Sequence, residues 1–119
     1  MFQDVLREVV TGTEGGVAAL LMGYDGIPVE QYVAQGADVN VEAVGMEYSV
    51  ILTQIRKAAA LLEAGSAREV SIQAEHMITV IRLLNDDYFV ALTLRPGGNY
   101  GKARYLLRMH ANKLLGELT

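Results

Sequence analysis

Residues 17 to 22 read VAALLM, six apolar side chains in succession bracketed by Gly15-Gly16 and Gly23. The run is too short for a typical helix. It also lacks the alternation of a strand with one wet face, so it suits a strand buried on both faces. Such a strand lies in the middle of a sheet, and the rest of the chain must cover that sheet on both sides. After Asp25-Gly26 comes IPVEQYVA, in which Ile27, Val29 and Val33 point one way and Glu30 and Tyr32 the other. Pro28 has no N–H for a ladder, which assigns this second strand to a sheet edge. Asp25-Gly26 fits a tight hairpin corner, because glycine accepts a positive φ and aspartate tolerates one.

The remaining segments supply the layers. Phe2, Val5, Leu6, Val9 and Val10 recur at helical spacing before Thr11-Gly12. A polar linker, QGADVN, leads into a long helix predicted from about Val41 to Ala64, with Gly65 as its stop. REVSIQAE alternates strictly, setting Val70, Ile72 and Ala74 against Glu69, Ser71, Gln73 and Glu75, as in a half-buried strand. MITVIRLL and YFVALTLR flank Asn85-Asp86-Asp87 and read as a hairpin. Pro96-Gly97-Gly98-Asn99 stops the last strand, and a final helix from Tyr100 to Leu118 carries Ala103, Leu107, Ala111, Leu114 and Leu118 inward. The order is αββαβββα. It predicts one α+β domain over residues 1–119: a five-stranded antiparallel sheet, with the long helix on one face and the two others opposite.

Chemistry is hard to place on this frame. The chain has no cysteine, so it offers neither thiolate ligands nor a thiol nucleophile. PGGNYGKA, residues 96 to 103, resembles a phosphate loop only superficially: Pro96 replaces the first glycine and Ala103 the magnesium-binding hydroxyl. His76 and His110 stand 34 residues apart with no carboxylate motif beside them. No GxSxG elbow surrounds a serine, and Asp86-Asp87 fits a turn better than an acid-base pair. No catalytic residue, cofactor or metal site is therefore expected. The N-terminal MFQDVLREVV lacks a signal-peptide pattern and no stretch has membrane-spanning length, so the expected location is the cytoplasm without membrane insertion.

The charge is uneven. Residues 1–50 hold eight acids and one base, whereas residues 51–119 hold nine bases and six acids, for a net charge of -4. An acidic chain with two Phe and no Trp is a poor nucleic-acid binder. The basic face of the last helix, Lys102, Arg104 and Arg108, is a second-rank candidate for an acidic partner.

The long helix has more apolar residues than one face needs. Val44, Tyr48, Ile51, Ile55, Ala58 and Leu62 form one stripe, expected on the sheet; Ala43, Met46, Val50 and Leu61 form a second, interrupted by Lys57. A helix backed by water needs an apolar arc only about 100° wide. The excess predicts a protein partner, and Met46, Val50, Thr53, Gln54, Lys57 and Leu61 are the residues expected to face it.

The element order, the hairpin VAALLMGYDGIPVEQY and the helix opening GNYGKARYLLRMHANKL together resemble the roadblock/dynein light chain family over essentially the whole chain, in its bacterial MglB-like branch. The resemblance implies a homodimer in which the long helices lie side by side and the third strands meet across the two-fold axis. It places Ala43, Met46, Val50 and Leu61 in that contact, with Glu69, Ser71 and Gln73 on the meeting strands. It also implies a non-enzymatic regulator or scaffold of a Ras-like small GTPase in cell polarity or motility. MglB-like members dock the helical face of the dimer on the GTPase, and adaptor paralogues such as MglC bind another roadblock protein. The alternatives are a light-chain-like structural adaptor with no GTPase contact, and a ligand-sensing or catalytic domain on a related sheet.

Overall fold

A computed structural model describes residues 1–119. The chain forms α1 (Phe2–Thr11), β1 (Gly16–Gly23), β2 (Pro28–Val33), α2 (Val41–Leu61), β3 (Glu69–Gln73), β4 (Ile78–Leu83), β5 (Tyr88–Leu94) and α3 (Tyr100–Leu118). All sheet pairings are antiparallel and the spatial order is β2-β1-β5-β4-β3. VAALLM is accordingly a central strand, with every residue from Val17 to Met22 buried. The Pro28 strand is an edge, and β3 is the other.

Two apolar cores follow from the period-2 alternation of the central strands. Ala19, Leu21, Val80, Val90, Leu92 and Leu94 turn toward α1 and α3. Ala18, Leu20, Met22, Ile81, Phe89 and Ala91 turn toward α2. The fold class read from the pattern is the fold observed: one long helix on one face and two on the other.

Local chemistry sets the boundaries. Gly26 has φ +85°, the Asp25 carboxylate accepts the Ile27 N–H at 3.0 Å, and the corner between β1 and β2 is closed. Asn40 and Asn99 cap α2 and α3, accepting the N–H groups of Ala43 at 3.2 Å and Lys102 at 3.0 Å. Asn85 accepts from both Asp87 N and Tyr88 N at 2.8 Å, holding the β4–β5 turn. The long helix is shorter than its pattern suggested. It ends at Leu61, and the chain turns away through Glu63 at φ 55° and Gly65 at φ 82°.

The sheet-facing side of α2 also differs from the sequence expectation. Val41, Gly45, Ser49 and Leu52 are buried against the sheet, whereas Val44, Ile51 and Leu62 of the expected stripe are exposed. Only Tyr48 and Ile55 of that stripe pack on the core. The reason is size. Gly45 carries no apolar signal, but its lack of a side chain lets the helix axis approach Leu20 and Met22, with the small Ser49 buried one turn farther on.

Candidate partner interface

The rotation of α2 divides its outer surface into three parts. One flank, carrying Val44 and Tyr48, overhangs β3 and β4. Here the Tyr48 hydroxyl meets Thr79 Oγ1 at 3.0 Å, above a crevice of about 270 Å3 walled by Ile72 and Met77 and floored by Ala18 and Ala91. Ile51, Ala58 and Leu62 share this side by helical spacing, and Ile51 is 45% exposed. The opposite flank faces the β1–β2 and β4–β5 turns. There Arg56 lies 4.3 Å over the Tyr24 ring and pairs with Asp86 at 3.2 Å. Burial pushes the Tyr24 hydroxyl up to about 12, with Arg56 opposing that rise.

Between the flanks runs a crest directed away from the sheet. It carries Met46 at 58%, Val50 at 61% and Leu61 at 87% exposure, with Ala43, Gln54 and Lys57 exposed beside them. Thr53 sits lower and half-buried, its hydroxyl donating to Ser49 O at 2.9 Å. The structure thus brings Ala43, Met46, Val50, Gln54, Lys57 and Leu61 together on one exposed face, as their spacing required, and sets Thr53 at its margin.

The edge strand presents its backbone. Leu83 N donates to Arg68 O and Ala74 N to Met77 O, both at 3.0 Å. In an antiparallel ladder these positions alternate, so Arg68, Val70, Ile72 and Ala74 turn their backbone groups toward β4. The N–H and C=O groups of Glu69, Ser71 and Gln73 point outward from the sheet edge.

The side chains of the first two are already engaged within the chain. Ser71 Oγ accepts from the Tyr100 hydroxyl at 3.0 Å. The Glu69 carboxylate takes both Arg104 Nε and, at 3.2 Å, Arg104 Nη2. Arg104, expected on a free basic face, is therefore tied to β3, whereas Lys102 and Arg108 stay exposed without an ion pair. These contacts span 29 and 35 residues of sequence, and no local pattern announces them.

The hydrogen bonds from Arg104 hold the Glu69 carboxyl below the usual carboxylate range. A depressed folded value means that this contact stabilises fully above the unfolded carboxylate value of about 4.3 and fades as pH falls through the lower folded value. Urea midpoints should therefore be insensitive to this pair from neutral pH down to about pH 5 and lose its contribution only in stronger acid. Glu69→Gln should flatten part of that acid limb; an unchanged limb would show that the pair contributes nothing.

Of the two histidines, His76 is exposed and His110 is buried between α1 and α3, its Nε2 lying 3.6 Å from Glu8 Oε1. No three His, Asp or Glu side chains gather where a metal could be held. No helix is long and apolar enough to cross a membrane.

No model of a known protein family matches the chain, and no curated protein does. Solved structures do. MglC from Myxococcus xanthus is 41% identical over 96% of each chain, with a TM-score of 0.69. The chain belongs to the roadblock/MglB-like family. A Roadblock/LC7 domain from Streptomyces avermitilis superposes with a TM-score of 0.86 at 14% identity, over 98% of this chain and 96% of that one. The gliding protein MglB from Thermus thermophilus gives 0.82 at 19% identity, over 91% and 81%. At such identities these last two establish the shared roadblock fold.

Proposed function

We propose that the chain is a non-catalytic, dimeric regulator or scaffold of a Ras-like small GTPase system of the polarity or motility type, working through protein contacts. The observation that carries this reading is the apolar crest of α2, with Met46, Val50 and Leu61 exposed on a helix whose opposite side is fully engaged with the sheet. Isolated exposed apolar residues are ordinary, but Met46 and Val50 one turn apart, with Leu61 farther along the same face beyond Gln54 and Lys57, indicate a docking surface of mixed character.

Two surfaces have separable roles. Antiparallel pairing of β3 with its symmetry mate, centred on Ser71, sets Glu69 opposite the copy's Gln73 and satisfies the outward backbone groups of both edges. The flank bearing Val44 and Ile51 overhangs that edge, so it is the side that meets the same flank of the second copy. The crest of Met46, Val50 and Leu61 stands away from the edge and serves a third protein, either the GTPase or a second roadblock protein. The identity of 41% to MglC, against 19% to the Thermus MglB, favours the adaptor form in which a second roadblock protein makes the link.

Binding of the purified chain to the Ras-like GTPase of its own genome, loaded with GTP or with GDP, tests the reading. The assay is run with and without the accompanying roadblock protein. Nucleotide-dependent capture by either route is the expected result; no capture by either route overturns it and leaves a light-chain-like structural adaptor.

A further inference from the structure

At the C-terminal end of α2 the chain opens a cleft of about 930 Å3 between the helix, the segment leading into β3, the β4–β5 turn and the far side of α3. Its charge is out of proportion to the rest of the molecule. Four of the ten basic residues line it, namely Arg56, Lys57, Arg68 and Arg82, but only two of the fourteen acids, Glu63 and Asp86. Asp86 is already neutralised by Arg56, which the Tyr24 ring also holds in place. Lys57, Arg68 and Arg82 make no ion pair. The nearest acid on β3, Glu69, lies across the ladder from Arg82 but is bound by Arg104. Three cations without an ion pair therefore line one recess against a single unpaired acid, Glu63, in a chain whose net charge is -4.

We infer that this cleft receives a carboxylate-rich, extended segment of a partner protein, with Lys57, Arg68 and Arg82 as its cationic contacts. The three cations arise from three elements and line different walls, so they match several spaced carboxylates better than one compact oxyanion. Guanidinium groups take carboxylates in bidentate fashion, and an arginine supplies two of the three contacts. Ala60, Leu84 and Leu115 also line the cleft, giving room for apolar side chains between the acidic ones. A long nucleic acid or an anionic membrane fits less well. Such extended polyanions would also meet the acidic N-terminal half of the chain, where eight acids accompany one base. The site adjoins the α2 crest, with Lys57 common to both, and does not depend on the GTPase reading.

The test uses the full chain and a fluorescein-labelled dodecapeptide of Glu-Glu-Leu repeats, followed by fluorescence anisotropy. Saturable binding at about 50 mM NaCl, weakened about tenfold or more at about 300 mM, is expected. The double substitution Lys57→Glu/Arg68→Glu should weaken binding by a further factor of about ten or more. Lys102→Glu/Lys113→Glu, on the side of α3 turned away from the cleft-lining Ala111, Asn112 and Leu115, should leave it within about twofold. Circular dichroism confirms folding of each variant, and Arg68→Gln, at an exposed loop position, serves if the charge reversal unfolds the chain. Absence of saturable binding at the lower salt overturns the inference. So does an equal loss in the Lys102/Lys113 variant, which marks diffuse charge attraction. Equally tight binding of tripolyphosphate or of phosphatidylglycerol vesicles, with the same dependence on Lys57 and Arg68, overturns it in favour of a general anion site.

Discussion

Gly45→Val is expected to lower the unfolding free energy by about 3 kcal/mol, although valine has the better intrinsic helix propensity. Glycine inside a helix costs about 1 kcal/mol relative to alanine, and at position 45 the sheet imposes that cost. A β-carbon there overlaps Leu20 Cδ2 and comes within 2.8 Å of Met22 Cε, so the branched valine must either turn these two buried side chains into the packed core or move α2 off the sheet. Gly116 in α3 is the control, since a β-carbon there meets nothing within 4 Å. Gly116→Ala should leave stability unchanged or raise it by about 0.5 kcal/mol. Denaturant unfolding of the two variants checks the contrast, and a Gly45→Val protein as stable as the parent would show that α2 does not depend on this close approach. Where the helix moves, the relation of the crest and flank to β3 changes with it, and partner binding should weaken even in the folded fraction.

Ile51→Asp should dissociate the proposed dimer, raising its Kd about 100-fold or more, whereas Val50→Asp should leave dimerisation intact and abolish capture of the third protein. The two residues are adjacent in sequence but about 100° apart around the helix, Ile51 on the flank above β3 and Val50 on the crest. An isologous contact doubles each substitution, so Ile51→Asp introduces two carboxylates near the axis, each desolvated without a partner. Sedimentation equilibrium of both variants, with circular dichroism for folding, separates the surfaces. The reverse outcome, with Val50→Asp monomeric and Ile51→Asp dimeric, would restore the crest to the two-fold contact and remove it from the docking role.

The element order was legible because each strand and helix carries its own period: strict alternation in Glu69–Gln73, an unbroken run in Val17–Met22, three-and-four spacing through Val5, Leu6, Val9 and Val10. The corner at Asp25-Gly26 was legible because turn chemistry is local. Placing β1 beside β5 was not, since that pairing joins Leu20 to Ala91 across most of the chain and leaves no trace in either segment. The face of α2 that meets the sheet was misread for a different reason. Hydrophobic pattern weighs large side chains, and here the close approach is made at Gly45, whose merit is that it is small. The excess of apolar residues on α2 is plain in the sequence, but the stripe expected against the sheet is largely exposed flank. Arg104 escaped for want of range: its partner Glu69 lies 35 residues away on another element.

The brace between α3 and β3 bears on how this protein would recognise its own kind. With the Glu69 carboxylate and the Ser71 hydroxyl engaged internally, the edge offers a neighbour mainly the amide and carbonyl pattern common to every polypeptide. Such a strand zips onto any matching edge and carries little address of its own. Telling a second copy from a related chain must then fall to the overhanging flank of α2, where Val44, Ile51 and Leu62 give the surface an individual shape. Exchange of subunits between paralogues would therefore be governed by a few helix side chains, and redesigning those alone should redirect which chains associate.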